Sequence, residues 1–184
     1  CYTGTGEFLA VGSAIPGTDN VDAVKLLFVR FDTTGQIIEN KEIPETDETD
    51  IISALNAVVD NSGNIYLAFT RKIAEFNTSA SVVKYNSSFV KLWEEKIYNN
   101  NDYAAICSDI AFNGSDSLYV TGKIEVSRTS GTLDNSFMAS MSTTGNIGWK
   151  KYFEKSNSGA GLTLNDTEVL YMLNMYFFFF SIID

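Results

Sequence analysis

Apolar and polar residues alternate along "VVKYNSSFVKLWEEKIY", Val82 to Tyr98, on either side of the polar corner Asn86-Ser87-Ser88. Period two on both sides of a short polar corner predicts two strands joined by a tight turn. The same layout occurs in "LLFVRFDTTGQIIENKEI", Leu26 to Ile43, and in "MASMSTTGNIGWKKYF", Met138 to Phe153. Phe31, Tyr85 and Met141 precede the three corners and fall 54 and 56 residues apart. A second pattern keeps the same rhythm, in "GEFLAVGSA", "GNIYLAFTR", "DSLYVTGKI" and "TEVLYMLNM"; aligning Phe8, Ile65, Leu118 and Val169 gives intervals of 57, 53 and 51 residues. Another strand-like segment precedes the later copies: "IISALNAVVD", "ICSDIAFNG" and "AGLTLND".

One full unit thus holds four short strands, near 51–59, 64–73, 79–86 and 91–98, and the next holds strands near 104–113, 117–126, 136–142 and 147–153. Gly, Asn and Asp fill the corners, where residues must tolerate positive φ. Four antiparallel strands every fifty-odd residues, without helical periodicity, predict an all-β chain built from four-stranded β-propeller blades. A β-sandwich is the competing architecture, but its strands do not normally repeat their sequence. The expected division is a partial blade at 6–43, blades at 51–98 and 104–153, and a partial blade at 160–184. This incomplete propeller, of about three to three and a half blades, leaves open edges, so either the chain is a piece of a longer propeller or copies self-associate to complete the ring.

The segments "DNSGNIYLAFT" with "VVKYNSSFVKLWEEKIY", and "SLYVTGK" with "MASMSTTGNIGWKKYF", resemble the β-propeller repeats of bacterial cell-surface and periplasmic proteins. They are also similar to the repeats of quinoprotein-type propellers and of the lipoprotein that assists outer-membrane barrel assembly. The first repeat departs from the pattern, with Ile37-Ile38 where later hairpins carry Trp93 and Trp149, and Phe89 replaces the turn glycine in the second. The resemblance implies radially arranged sheets whose loops or central channel meet a ligand.

Composition narrows the function. Thirteen Lys and Arg against 23 Asp and Glu give a net charge of −10, which repels phosphate backbones and argues against nucleic acid. The sequence lacks His, the commonest general base near neutral pH, and shows no nucleophile elbow or Gly-rich phosphate loop; no enzyme activity, cofactor or metal is expected. Asp60, Ser62 and Asn64 have the spacing of a calcium loop without its Glu, and read as a hairpin turn. Glu45, Asp47, Glu48 and Asp50 read as a solvated loop, with cation binding as the alternative. Trp93 and Trp149, with Tyr98 and Tyr152, read as inter-blade packing, with a carbohydrate-stacking surface as the alternative. Asn77, Asn86, Asn113 and Asn165 open N-x-S/T sequons of the kind Asn-rich turns generate by chance.

Cys1 reads as the lipid-attachment residue of a processed bacterial lipoprotein, with Tyr2-Thr3-Gly4-Thr5-Gly6 as a short tether; the bland alternative is a sequence merely cut at that point. Cys107 in "AAICSDIAF" reads as a buried small residue, and a Cys1–Cys107 disulfide is allowed by the count alone. Tyr176 to Phe180 form a solid aromatic run that fits a buried strand or an end that no longer matches its blade; a membrane span needs a longer apolar stretch. Three functions remain open. The first is a non-enzymatic binding or scaffold module of the cell envelope, lipid-anchored, periplasmic or secreted, which presents loops to a protein or glycan. The second is an accessory factor for outer-membrane assembly, and the third is a fragment of a propeller enzyme. Membrane contact is expected only through the anchor at Cys1.

Overall fold

The computed structural model describes residues 1, 3, 6–14, 25–44, 52–74, 77–98, 103–128, 131–153, 159–164 and 170–174. Glu45, Asp47, Glu48, Asp50, Asn165 and Tyr176–Asp184 lie outside them. Among the described residues there is no helix, and every sheet is an antiparallel meander. The first sheet holds β1 (Glu7–Ala14), β2 (Lys25–Asp32) and β3 (Ile37–Pro44). The second holds β4 (Ile52–Val59), β5 (Ile65–Ala74), β6 (Asn77–Tyr85) and β7 (Lys91–Tyr98). The third holds β8 (Tyr103–Phe112), β9 (Ser117–Arg128), β10 (Gly131–Ser142) and β11 (Ile147–Phe153), and β12 (Gly159–Leu164) pairs with β13 (Leu170–Asn174).

The sheets stack face to face because β5 and β6 have no polar side. Ile65, Leu67, Phe69, Val83, Tyr85 and Phe89 pack on Leu9, Leu26 and Phe28 of the first sheet. Tyr66, Ala68, Ala80, Val82 and Ile97 pack on Ala105, Cys107, Leu118, Val120, Phe137 and Met141 of the third. Val82 and Val83 therefore point in opposite directions and are both buried. Alternation is retained as geometry but not as polarity, as expected of strands covered on both faces.

The first strand of each sheet lies beside the first strand of the next: β1 by β4, β4 by β8, β8 by β12. Three of these strands break register once, between Ser53 and Asn56, Cys107 and Asp109, and Gly159 and Gly161. At two of the breaks a side chain takes up the next backbone N–H: Ala57 donates to Asn56 Oδ1 at 2.9 Å and Ile110 to Asp109 Oδ1 at 2.8 Å. Asn56 Nδ2 also donates to Asp109 Oδ1, which ties β4 to β8.

The β2–β3, β6–β7 and β10–β11 turns share one end of the stack and one hydrogen-bond pattern, whereas β5 meets β6 and β9 meets β10 at the other end. Gly35, Phe89 and Gly145 donate N–H to the carbonyls of Asp32, Asn86 and Ser142 at 2.9 to 3.0 Å, and the strand register shifts just before each turn. The fourth position needs positive φ: Gly35 has +83°, Gly145 has +94°, and Phe89 has +59°. Phe89 is the one non-glycine residue in that region among those described. Its ring is buried against Phe28, centroids 5.0 Å apart, with the Arg30 guanidinium 4.6 Å above it. Left-handed strain in a non-glycine residue costs about 1 kcal/mol, whereas deleting a buried aromatic costs about 3 kcal/mol or more. Packing therefore wins, and Phe89→Gly is expected to lower the unfolding free energy by about 2 kcal/mol in urea melts, despite restoring glycine to a left-handed turn.

Candidate functional site

The turn end of the first and second sheets encloses a cleft of about 260 Å³. Leu9, Val59 and Ile65 form its floor, and Glu7, Arg30, Asn61, Ser62 and Ser87 stand around it. The cleft exists because of two side chains that are smaller than their counterparts. The turn bond Thr3 N–H to Glu7 carbonyl matches Asp60 N–H to Asn64 carbonyl and Asn113 N–H to Ser117 carbonyl. Counting from these turns, Leu9 corresponds to Tyr66, and Val59 to Phe112. Tyr66 and Phe112 stack with centroids 6.3 Å apart and fill the junction between the second and third sheets. Leu9 and Val59 leave the equivalent space open. Asn61 also bridges the second junction, its Nδ2 donating to the Gly114 carbonyl at 3.2 Å.

Arg30 holds one wall of the cleft. Its guanidinium pairs with Glu39 at 3.1 Å and donates to the Ser87 carbonyl at 2.5 Å. Lys84 repeats this contact one sheet later, donating to the Thr143 carbonyl at 3.2 Å while lying 4.9 Å from the Tyr66 ring centroid. A cation near the end of the penultimate strand thus latches the carbonyl of the next sheet's turn at both junctions. Both latches use turn carbonyls, and the side chains of Thr33, Ser62, Ser87 and Ser88 stay exposed at the surface.

The carboxylate of Asp60 belongs to its turn. Oδ1 accepts N–H bonds from Ser62 and Asn64, both at 2.9 Å, and Oδ2 accepts from Asn64 Nδ2 at 2.8 Å and from the Tyr66 hydroxyl at 2.9 Å. This is a hairpin turn, as read from the sequence; the structure adds that its own aspartate caps it with oxygens that a calcium loop would need. Asn86 and Asn113 cap their turns in the same way, so these two sequon residues use Oδ1 on backbone N–H groups. Asn77 opens β6. Partial burial pushes the Asp60 carboxyl up, but the bonds from Asn64, Tyr66 and Ser62 outweigh it and hold the group below its ordinary 3.8. Burial and the Asp60 carboxylate push the Tyr66 hydroxyl up, so Tyr66 stays a donor.

Cys1 is exposed at a second opening of about 330 Å³, beside Phe8, Ala10, Val11, Phe31 and Asn56. Its backbone is paired with that of Leu9. The Cys1 amine donates to the Leu9 carbonyl at 2.7 Å, Leu9 N–H donates to the Cys1 carbonyl at 2.8 Å, and Thr3 bonds to Glu7. Cys1 occupies the strand position held by Val58 in the second sheet, and Gly6, with φ +80°, matches Gly63 at +78°. Backbone pairing places Cys1 in the register of a first strand; Tyr2, Gly4 and Thr5 of the expected short tether lie outside the described residues. Cys107 is buried between the second and third sheets, where burial pushes its thiol up to about 12 and its Sγ donates to the Ser81 carbonyl. Both cysteines are free thiols on different sheets, so the Cys1–Cys107 disulfide is not formed.

The two tryptophans differ. Trp93 is half-buried beneath the turn of the third sheet, where a Cβ on Gly145 would sit 3.4 Å from the indole. Trp149 is 40% exposed. Among the described residues no group of three or more Cys, Asp or Glu is placed to hold a metal. With no histidine in the chain, Ser62 and Ser87 lack the commonest activating base. Hydrogen-bonding groups over an aliphatic floor suit the cleft to holding a small amphipathic group. Comparison with protein-family models and with curated proteins returned no match.

A carboxyl held below its ordinary value stabilises the fold above that value, and the contribution is lost as pH falls through the lowered value. Asp60→Asn is therefore expected to be less stable than wild type by about 1 kcal/mol at pH 7, a modest loss because the site is partly open to water. The two should converge in chemical denaturation as pH falls below the ordinary carboxyl value of 3.8.

Proposed function

We propose that the chain is a run of consecutive β-propeller blades acting as a non-enzymatic binding module of the bacterial cell envelope, with the cleft at its turn end receiving a side chain of a protein or a unit of a glycan. The observation that carries the propeller reading is the ordered contact β1–β4–β8–β12 combined with a middle sheet buried on both faces. Successive first strands lying side by side, each followed outward by a meander, is how blades are arranged around an axis. Paired latches at Arg30–Ser87 and Lys84–Thr143 support one rotation being applied twice.

The binding reading rests on the cleft and on the turn face around it. Hydroxyl groups of Thr33, Ser62, Ser87 and Ser88 are displayed at one end on turns whose backbone bonds are satisfied internally. A rigid scaffold with polar loops at one end is a common arrangement for recognition. The envelope location rests on the resemblance of the repeats.

The double variant Leu9→Tyr with Val59→Phe copies the filled junction into the open one, and is expected to keep the wild-type melting temperature or raise it. Wild type screened against arrayed envelope glycans and peptides should bind a ligand that the filled variant binds about tenfold or more weakly. Absence of any ligand for wild type, or equal binding by the variant, contradicts the cleft as the site.

A further inference from the structure

The first two sheets place a carboxylate at different points of equivalent turns. In the second sheet the acid opens the turn, and Asp60 is consumed there by the N–H groups of Ser62 and Asn64, the Asn64 amide and the Tyr66 hydroxyl. In the first sheet Thr3 holds the position of Asp60, its hydroxyl donating to the Glu7 carbonyl at 3.1 Å, and the carboxylate belongs to Glu7 at the position of Asn64. Leu9 stands in place of Tyr66, so the hydroxyl that binds Asp60 has no counterpart. Among the described residues no lysine, arginine or terminal amine forms an ion pair with Glu7.

Glu7 lies on the face of β1 that lines the cleft. It precedes Leu9 by two residues, Leu9 is buried against the second sheet, and side chains two apart on a strand share a face. Arg30 is opposite Leu9 on the same face, but it is committed elsewhere. Its guanidinium pairs with Glu39 at 3.1 Å, donates to the Ser87 carbonyl at 2.5 Å and lies 4.6 Å from the Phe89 ring centroid. Arg30 and Glu39 cancel in charge, which leaves the cleft the negative charge of Glu7. Leu9, Val59 and Ile65 supply an aliphatic floor beneath it. At about 260 Å³ the cleft falls below the roughly 300 Å³ at which pockets for drug-sized ligands begin, and it suits a single side chain.

Resting on the reading of this cleft as a binding site, we propose that its ligand is an ammonium group on an aliphatic stem, the lysine side chain of a partner protein. The methylene stem lies on Leu9, Val59 and Ile65, and the ammonium donates to the Glu7 carboxylate at the rim. A neutral side chain leaves that carboxylate without a partner, and an acidic one is repelled by it. The net charge of −10 acts in the same direction, drawing basic partners toward the chain.

The probe is N-acetyl-lysine methylamide, titrated into the full chain with ¹³C-labelled methyl groups. It should shift the methyls of Leu9, Val59 and Ile65, and bind about tenfold more tightly than N-acetyl-norleucine methylamide, which carries the stem without the ammonium. Glu7→Gln should remove this preference while leaving the norleucine affinity unchanged, and added salt should weaken the lysine probe alone. Equal binding of the two probes, or a lysine preference undiminished in Glu7→Gln, overturns the ammonium assignment; the cleft then remains a site for any ligand that Leu9→Tyr with Val59→Phe displaces. Tighter binding of glucosamine than of the lysine probe also overturns it, in favour of a saccharide unit. Absence of any methyl shift, or shifts that persist in the filled double variant, overturns the assignment together with the cleft reading beneath it.

Discussion

Everything else in the molecule depends on the second sheet being buried on both faces. From Ile65 to Arg71 successive side chains of β5 enter opposite cores without a polar member facing solvent. Full burial of a Leu, Ile, Val or Phe side chain is worth about 1.5–3 kcal/mol, and here one short segment supplies both interfaces. The first and third sheets are held by the two faces of this one layer. Arg71 tolerates the same environment because its guanidinium lies 3.1 Å from Glu94 on β7, which also meets Lys91, so the buried cation is paired.

Stacking leaves the β2–β3, β4–β5, β6–β7, β8–β9 and β10–β11 turns together at one end, and their chemistry follows from that crowding. Each turn satisfies its own backbone through a side-chain oxygen from Asp32, Asp60, Asn86, Asn113 or Ser142, so it requires little from its neighbours. What passes between sheets at this end is a small set of directed bonds, which among the described residues includes Arg30 to Ser87, Lys41 to Ser88, Asn61 to Gly114 and Lys84 to Thr143. The cleft between the first and second sheets results from the same plan carried out with Leu9 and Val59 in place of Tyr66 and Phe112. A pocket arises here from side-chain volume, with the backbone unchanged.

Strand positions were legible because period-two runs and polar corners are local signals: Lys91–Tyr98 and Ile147–Phe153 coincide with the spans read from the sequence. Turn chemistry was legible at Asp60 for the same reason. Burial on both faces of β6 was not, because Val82 and Val83 look alike whether one or both meet a neighbouring sheet. Trp93 and Trp149 occupy matching sequence positions, yet Trp93 lies beneath the turn at Gly145 and Trp149 is exposed. Phe89 occupies a left-handed position because of Phe28 and Arg30, both distant in sequence. The cleft was invisible until Leu9 could be set against Tyr66 and Val59 against Phe112. The strand register of Cys1 was not legible, because the residue it pairs with, Leu9, gives no sign of a partner eight positions earlier.

Native-state hydrogen exchange on the full chain tests the stack most directly. If the second sheet is the shared layer, the amides of Ile65–Thr70 and Ser79–Val83 exchange slowest, through global unfolding, while β3 and β11 at the outer edges exchange through local opening at much lower free energy. Equal protection across β3, β6 and β11, or faster exchange in β5 and β6 than in the outer strands, would contradict a fold organised around the second sheet.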